Sequence, residues 1–388
     1  MFGGASKSCV CLHLGVLLGA AACTVDDVGS EGSGSSSSGA VDSTGGAGGT
    51  TEGASGQVSV DTTAAPSTEE GPIIIDDFPF PPDLPLLGEV DCRLDPPPGT
   101  TPPPPLPVYA GECPELVPGL NTIDSTGNVR EFLLIVPSDL QPEENLPVVF
   151  LWHWLGGDAQ DFLEQGDVQN AVDQFRFVAV IPSSKGDVLF QWPFSIIDPD
   201  ARADEELDFF DDMLACVAEQ YNVAEHCIAS AGVSAGALWT DQLASARGGF
   251  LSSVLSLSGG TGGSAVKPWG GSPHKMPAMV LWGGPMDFCV AVDFNNTSQD
   301  FENHLQEEGH FVLECIHNCM HSAPPFEVAE GETAFAPLWK FVISHPYWLQ
   351  DGQSPYLTGG VPADMPEWCG IGVGGSEPRT GECGPDQC

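Results

Sequence analysis

The chain has 388 residues with 11 Lys and Arg against 54 Asp and Glu, for a formal net charge of −43. Such an acidic surface repels phosphate backbones, which sets nucleic acid aside as a partner. Length alone allows two domains, but residues 24 to about 111 are rich in Gly, Ser and Thr and then in Pro, and cannot bury enough apolar surface to offset ordering entropy.

The N-terminus reads as an export signal over residues 1–22. Lys7 supplies the positive region, Leu12 to Leu18 a short apolar core, and Ala20-Ala21-Ala22 the small residues ahead of Cys23. The apolar run is too short to remain as a membrane-spanning helix. Small residues followed by Cys resemble a bacterial lipobox, with Ala20 where such boxes prefer Leu. The expectation is therefore a lipid anchor at Cys23 as the sole membrane attachment, with plain secretion as the alternative. Residues 23–111 follow as a linker, flexible up to about 70 and then stiffened by Pro79, Pro81-Pro82, Pro96-Pro97-Pro98 and Pro102 to Pro105. Residues 112–349 are expected to form one catalytic domain, and residues 350–388 an irregular tail stapled by cysteines.

The ten cysteines from Cys92 onward form an even set, as in an exported, disulfide-bonded protein. Cys216 and Cys227 bracket one helix-to-strand connection and are the expected local pair. Cys315, His317, Cys319 and His321 alternate and would share one face of a strand. Adjacent same-face positions rarely close a metal tetrahedron, so disulfides are favoured over zinc, and no cofactor is expected.

Strand and helix signals alternate along the globular part. Strands are predicted over Val129 to Val136, Leu146 to Trp152, Phe175 to Ile181, His226 to Ala231, Val254 to Leu257, Ala278 to Trp282 and Phe311 to Ile316. Helices are predicted over Asp204 to Tyr221, Ala235 to Ala246 and Thr333 to Ile343. This alternation implies an α/β fold with a mostly parallel sheet covered by helices.

Gly232-Val233-Ser234-Ala235-Gly236 is a Gly-x-Ser-x-Gly run, weak on its own in so Gly-rich a chain. It follows a predicted strand and opens a predicted helix, the setting of a nucleophile elbow. In that architecture an acid and then a histidine follow the serine. Asp287 lies in the loop after the strand ending at Trp282, with Asp293 in reserve. His321 lies in the loop before Pro324, with His317 as the alternative. The oxyanion donors are expected to be the backbone N–H groups of Ala235 and of Leu155, or Trp154 in place of Leu155, in His153-Trp154-Leu155-Gly156-Gly157. Trp152, Trp154, Trp192, Trp239 and Trp282 stand near these positions, most of them as core.

From about Asn128 to Pro346 the chain resembles the α/β-hydrolase esterases that include polyhydroxybutyrate depolymerases and feruloyl or acetylxylan esterases. The resemblance rests on Arg130 to Pro137, His153 to Gly157, Tyr221 to Gly236, Gly283 to Asp287 and His321 to Pro324. It departs at Trp154, where those enzymes usually have Gly, and at Gly284-Pro285-Met286-Asp287, where they have a Gly-Thr-x-Asp type of loop. It implies a secreted or surface-tethered serine hydrolase cleaving carboxylic esters, small or polymeric, of polyester, feruloyl or acetyl-polysaccharide type. Ser234, Asp287 and His321 would take the catalytic positions and Leu155 with Ala235 the oxyanion positions. A serine peptidase of the same fold and a non-catalytic surface-binding module are the competing readings.

Overall fold

The structure, a computed structural model, describes residues 90–349 and 351–383. The expected signal, Cys23, linker residues before 90, Gln350 and Cys388 lie outside the described residues.

The chain enters the sheet through a hairpin of β1 (Gly119–Ser125) and β2 (Asn128–Ile135). Thr126 and Gly127 close it with φ of 53° and 76°, the left-handed pair that matches the twist of flanking strands. β3 (Leu146–Trp152) is buried at all seven positions, as its unbroken apolar run requires of a strand covered on both faces. Helices α1 (Ala159–Gln165) and α2 (Val168–Phe175) lead to β4 (Val178–Pro182). Next come α3 (Asp200–Gln220), β5 (Val223–Val233), α4 (Ala235–Arg247), β6 (Ser253–Leu257) and β7 (Ala278–Trp282). A small hairpin of β8 (Phe288–Cys289) and β9 (Val292–Asp293) precedes α5 (Phe294–Glu308), and β10 (Val312–Ile316) follows. The chain then forms α6 (Ala336–Ile343), α7 (Pro355–Gly359) and β11 (Cys369–Ile371).

Nine of these strands form one sheet in the order β1-β2-β4-β3-β5-β6-β7-β10-β11. The six from β4 to β10 are parallel, while β1, β2 and β11 add antiparallel edges. Alternate residues of each central strand feed two cores. Val148, Phe150 and Trp152 join α3, α4 and α5 on one face. Val149 and Leu151 join α1, α2 and α6 on the other.

Several boundaries differ from the predicted ones for local reasons. The strand expected from Phe175 starts at Val178, because Phe175 closes α2 and Arg176 takes a left-handed φ of 56° that ends the helix. The helix expected from Thr333 starts at Ala336 with Pro337 in its first turn, where a missing N–H costs nothing.

The cysteine pairing corrects one expectation. Cys216 bonds Cys113, and Cys227 bonds Cys92; Cys216 and Cys227 do not pair. Strand alternation is the reason. Ile228 packs into the core that contains Cys216, so its neighbour Cys227 points through the opposite face toward Ile343 and Ala224. Sequence proximity had put the two thiols on one side of the sheet. Cys315–Cys369 and Cys319–Cys383 fasten the C-terminal segment to β10 and its exit loop.

A buried ionic cluster ties α3 to the antiparallel edge. Arg130 donates to Glu206 at 2.5 Å and 3.2 Å, and Arg202 donates to the same carboxylate at 2.6 Å. The Arg130 guanidinium also lies 4.0 Å above the Phe209 ring. Glu206 has no solvent exposure, so its removal leaves buried Arg130 without a carboxylate, while Arg202 keeps only Asp187, at 2.9 Å. Glu206→Ala is expected to lower unfolding free energy by about 3–5 kcal/mol in a denaturant titration.

Candidate active site

Strand order reverses at β3. The chain steps from β3 to β4 on one side, then places β5, β6, β7 and β10 on the other. Loops leaving the carboxyl ends of β3 and β5 therefore diverge and open a crevice between them. Ser234 sits at this point, between β5 and α4.

Its backbone is held at φ 56° and ψ −120°, a conformation that costs on the order of 1–3 kcal/mol outside glycine. The turn survives because its neighbours make room. A Cβ at Gly232 would strike the carbonyl of Gly236, and one at Gly236 would strike the carbonyl of Trp152. The Ser234 amide donates to the Leu257 carbonyl at 2.9 Å, pinning the elbow to β6.

His321 and Asp287 reach the same point from separate loops. His321 Nε2 lies 2.9 Å from Ser234 Oγ, and His321 Nδ1 lies 2.6 Å from Asp287 Oδ1. Ser234 is 8% exposed and Asp287 fully buried, so water competes little for these bonds. The three predicted residues thus form one hydrogen-bonded chain. The reserve candidates have other occupations. Asp293 caps α5 by accepting from the Asn296 amide at 3.1 Å. His317 is buried 6.1 Å from the Trp368 ring, and burial pulls its pKa down to about 4.

Three supporting groups escaped the sequence reading. Asp287 Oδ2 accepts from Ser258 Oγ and from the Gly283 amide, both at 2.7 Å. Phe294, the first residue of α5, stacks on the His321 ring at 4.3 Å and fixes its plane. No motif marks Ser258 or Phe294, because each acts through a contact between sequentially distant loops, while Gly283 acts within the Asp287 loop itself. Ser258 directly follows β6, and its left-handed φ of 50° turns its hydroxyl onto Asp287. Ser258→Ala removes one of three hydrogen bonds to a buried carboxylate. It is expected to lower the rate of any Ser234-dependent reaction by about ten-fold, from roughly 1.5 kcal/mol, in steady-state kinetics.

The β3 exit loop lies opposite the elbow. The Gly156 amide donates to Gln191 Oε1 at 2.6 Å, and the Gly157 amide to the Trp154 carbonyl at 3.1 Å. Both amides are therefore committed within the protein. The Trp192 indole donates to the His153 carbonyl at 2.7 Å and holds the base of the loop. Trp154 lies in the cavity wall beside Phe162, whereas Trp152, Trp192, Trp239 and Trp282 are core.

Ser234 and His321 open onto a cavity of about 670 Å³. Its wall is mostly apolar, with Phe162, Phe190, Phe194, Leu238 and Trp339 among its members. Cys315 and Cys319 are spent in disulfides, and no His, Cys, Asp and Glu grouping among the described residues suits a metal ion.

The doubly wound sheet, the strained serine elbow and the strand order define an α/β-hydrolase fold. Comparison with solved structures agrees. Native pOPH is 18% identical with a TM-score of 0.52, covering 70% of this chain and 98% of that one. Native sOPH is 17% identical with a TM-score of 0.53, covering 69% and 97%. A ferulic acid esterase from Anaeromyces mucronatus, 16% identical, gives a TM-score of 0.40 over 51% of this chain and 82% of that chain. Comparisons with protein-family models and with curated proteins found no match. At these identities the first two likenesses speak to the fold, and the chemistry has to be argued from the residues.

Proposed function

We propose that the chain is a serine esterase that cleaves carboxylic esters through an acyl-enzyme. The observation that carries this reading is the unbroken run from Asp287 through His321 to Ser234 at the mouth of a deep apolar cavity. His321 Nε2 takes the proton of Ser234 Oγ as that oxygen bonds to the ester carbonyl carbon. Asp287 holds the imidazole in the required tautomer and balances the imidazolium charge. The N–H groups of Ala235, at the start of α4, and Leu155 receive the developing oxyanion. Leu155 is kept with Trp154 as its alternative, and the amides of Gly156 and Gly157 that follow are spent elsewhere. Collapse of the tetrahedral species breaks the ester C–O bond, and His321 returns its proton to the leaving alcohol. A water then repeats the sequence, releasing the acid and restoring Ser234.

The decisive test is labelling with a fluorophosphonate, followed by assay on p-nitrophenyl esters and peptide anilides. A Ser234 adduct with ester turnover supports the reading. Turnover of anilides at comparable efficiency would favour a peptidase, and no adduct would point to a non-catalytic binding module.

Four disulfides among the described residues are consistent with an exported protein. No helix among those residues is long and apolar enough to cross a membrane. We further propose that Cys23 carries the anchor and that the linker expected over residues 23–111 tethers the domain. Cys23→Ala is expected to move the protein from the membrane fraction to the soluble one; unchanged fractionation would count against lipidation.

A further inference from the structure

The cavity wall carries a chemical restriction that the hydrogen-bonded chain does not. Phe162, Leu338 and Trp339 enter from one face of the sheet, and Phe190, Phe194 and Leu238 from the other. No Asp, Glu, Lys or Arg lines it. Beyond Ser234 and His321, the polar side chains of the wall are Gln165, Gln191, Ser258 and Ser322, with the indole N–H groups of Trp154 and Trp339. Three of these are already committed. Gln191 bonds the Gly156 amide and Gly157 carbonyl, Ser258 bonds Asp287, and Ser322 donates to the Cys319 carbonyl at 2.6 Å. Gln165 remains, exposed at the rim, together with two donor-only groups, the Trp154 indole and the Trp339 indole, the latter buried without a partner.

A substrate group bearing several hydroxyls, a phenol or further carbonyls would lose more hydrogen bonds to water here than two indole donors can return, and a hydroxyl hydrogen would find no uncommitted side-chain acceptor inside the rim. An acetyl group would leave most of about 670 Å³ unfilled and its dispersion contacts unmade. The segments that supply the wall also present Leu189, Phe288 and Val290 to solvent, an apolar approach to the opening.

We infer that the cavity takes an unadorned hydrocarbon chain, so the substrates are long-chain aliphatic esters. This rests on the reading of Ser234 as the ester-cleaving nucleophile. The chain can belong to the acyl or the alcohol half, and each methylene buried is worth up to about four-fold in kcat/KM.

Two series on the full protein test the inference. One runs p-nitrophenyl acetate, butyrate, octanoate and laurate; the other runs ethyl, butyl and octyl acetate. The expected result is kcat/KM rising with chain length in at least one series, identifying the half that is buried. Leu338→Trp, checked for folding by its Tm, should shift the preferred length downward. Ser234-dependent hydrolysis that is flat or falls with length in both series overturns the inference and leaves the esterase reading intact. If no ester is cut in a Ser234-dependent way, the esterase reading fails instead. Calorimetric titration with dodecanoic acid then judges the cavity: saturable binding weakened by Leu338→Trp supports a hydrocarbon site, and no binding overturns it.

Discussion

Replacing Ser234 with alanine is expected to lower kcat on a reactive ester by a factor on the order of a million, leaving only the residual turnover that binding and oxyanion donors provide. The size follows from the chain of bonds. His321 Nε2 has one partner at the mouth, Ser234 Oγ at 2.9 Å, and without that oxygen no acyl-enzyme can form. The double variant Ser234→Ala with His321→Ala should be little worse than either alone, since the two act as one unit. Steady-state assays with thermal melts alongside would check this. A loss of less than about a hundred-fold, with no contaminating esterase, would remove Ser234 from the mechanism.

Asp287→Asn should cost about ten-thousand-fold in kcat while the fold persists. Three donors surround the carboxylate: His321 Nδ1, Ser258 Oγ and the Gly283 amide. A hydroxyl can turn and accept, but a backbone amide can only donate. The asparagine carbonyl is therefore drawn to Gly283, and its NH2 group faces His321 Nδ1. The imidazole must then carry its proton on Nε2, facing Ser234, where it has nothing with which to accept the serine proton. Partial recovery at high pH, where serine ionises more readily, would fit this account. Near-normal kcat in Asp287→Asn would instead reduce Asp287 to a structural anchor.

Both predictions concern residues that sequence order had brought forward. Ser234 stood out because a strand signal precedes it and a helix signal follows, and the elbow needs that succession. Asp287 and His321 were singled out by their places after strands ending at Trp282 and Ile316. Most of the sheet was readable in the same way. Leu146 to Trp152 and Ala278 to Trp282 have the observed bounds, since a strand buried on both faces leaves an unbroken apolar run. Elements that escaped were short or lacked such a run. β11 has three residues, and α1 begins at a capping box formed by Asp158 and Asp161 with only a few apolar positions behind it.

By itself, the sequence determined the local order of the fold: which segments are strands, which turn holds the serine, and which acid and histidine follow it. Those properties depend on neighbours a few residues away, where side-chain periodicity and turn chemistry act. Only the tertiary structure decided that Cys216 pairs with Cys113 and Cys227 with Cys92, because the face a strand residue occupies depends on the whole sheet. It also decided that Ser258, Gly283 and Phe294 serve Asp287 and His321, and that Gln191 occupies the Gly156 amide. The walls of the cavity were settled at the same level. They come from loops and helices far apart in the chain, and no local pattern records which of their polar groups are already spent.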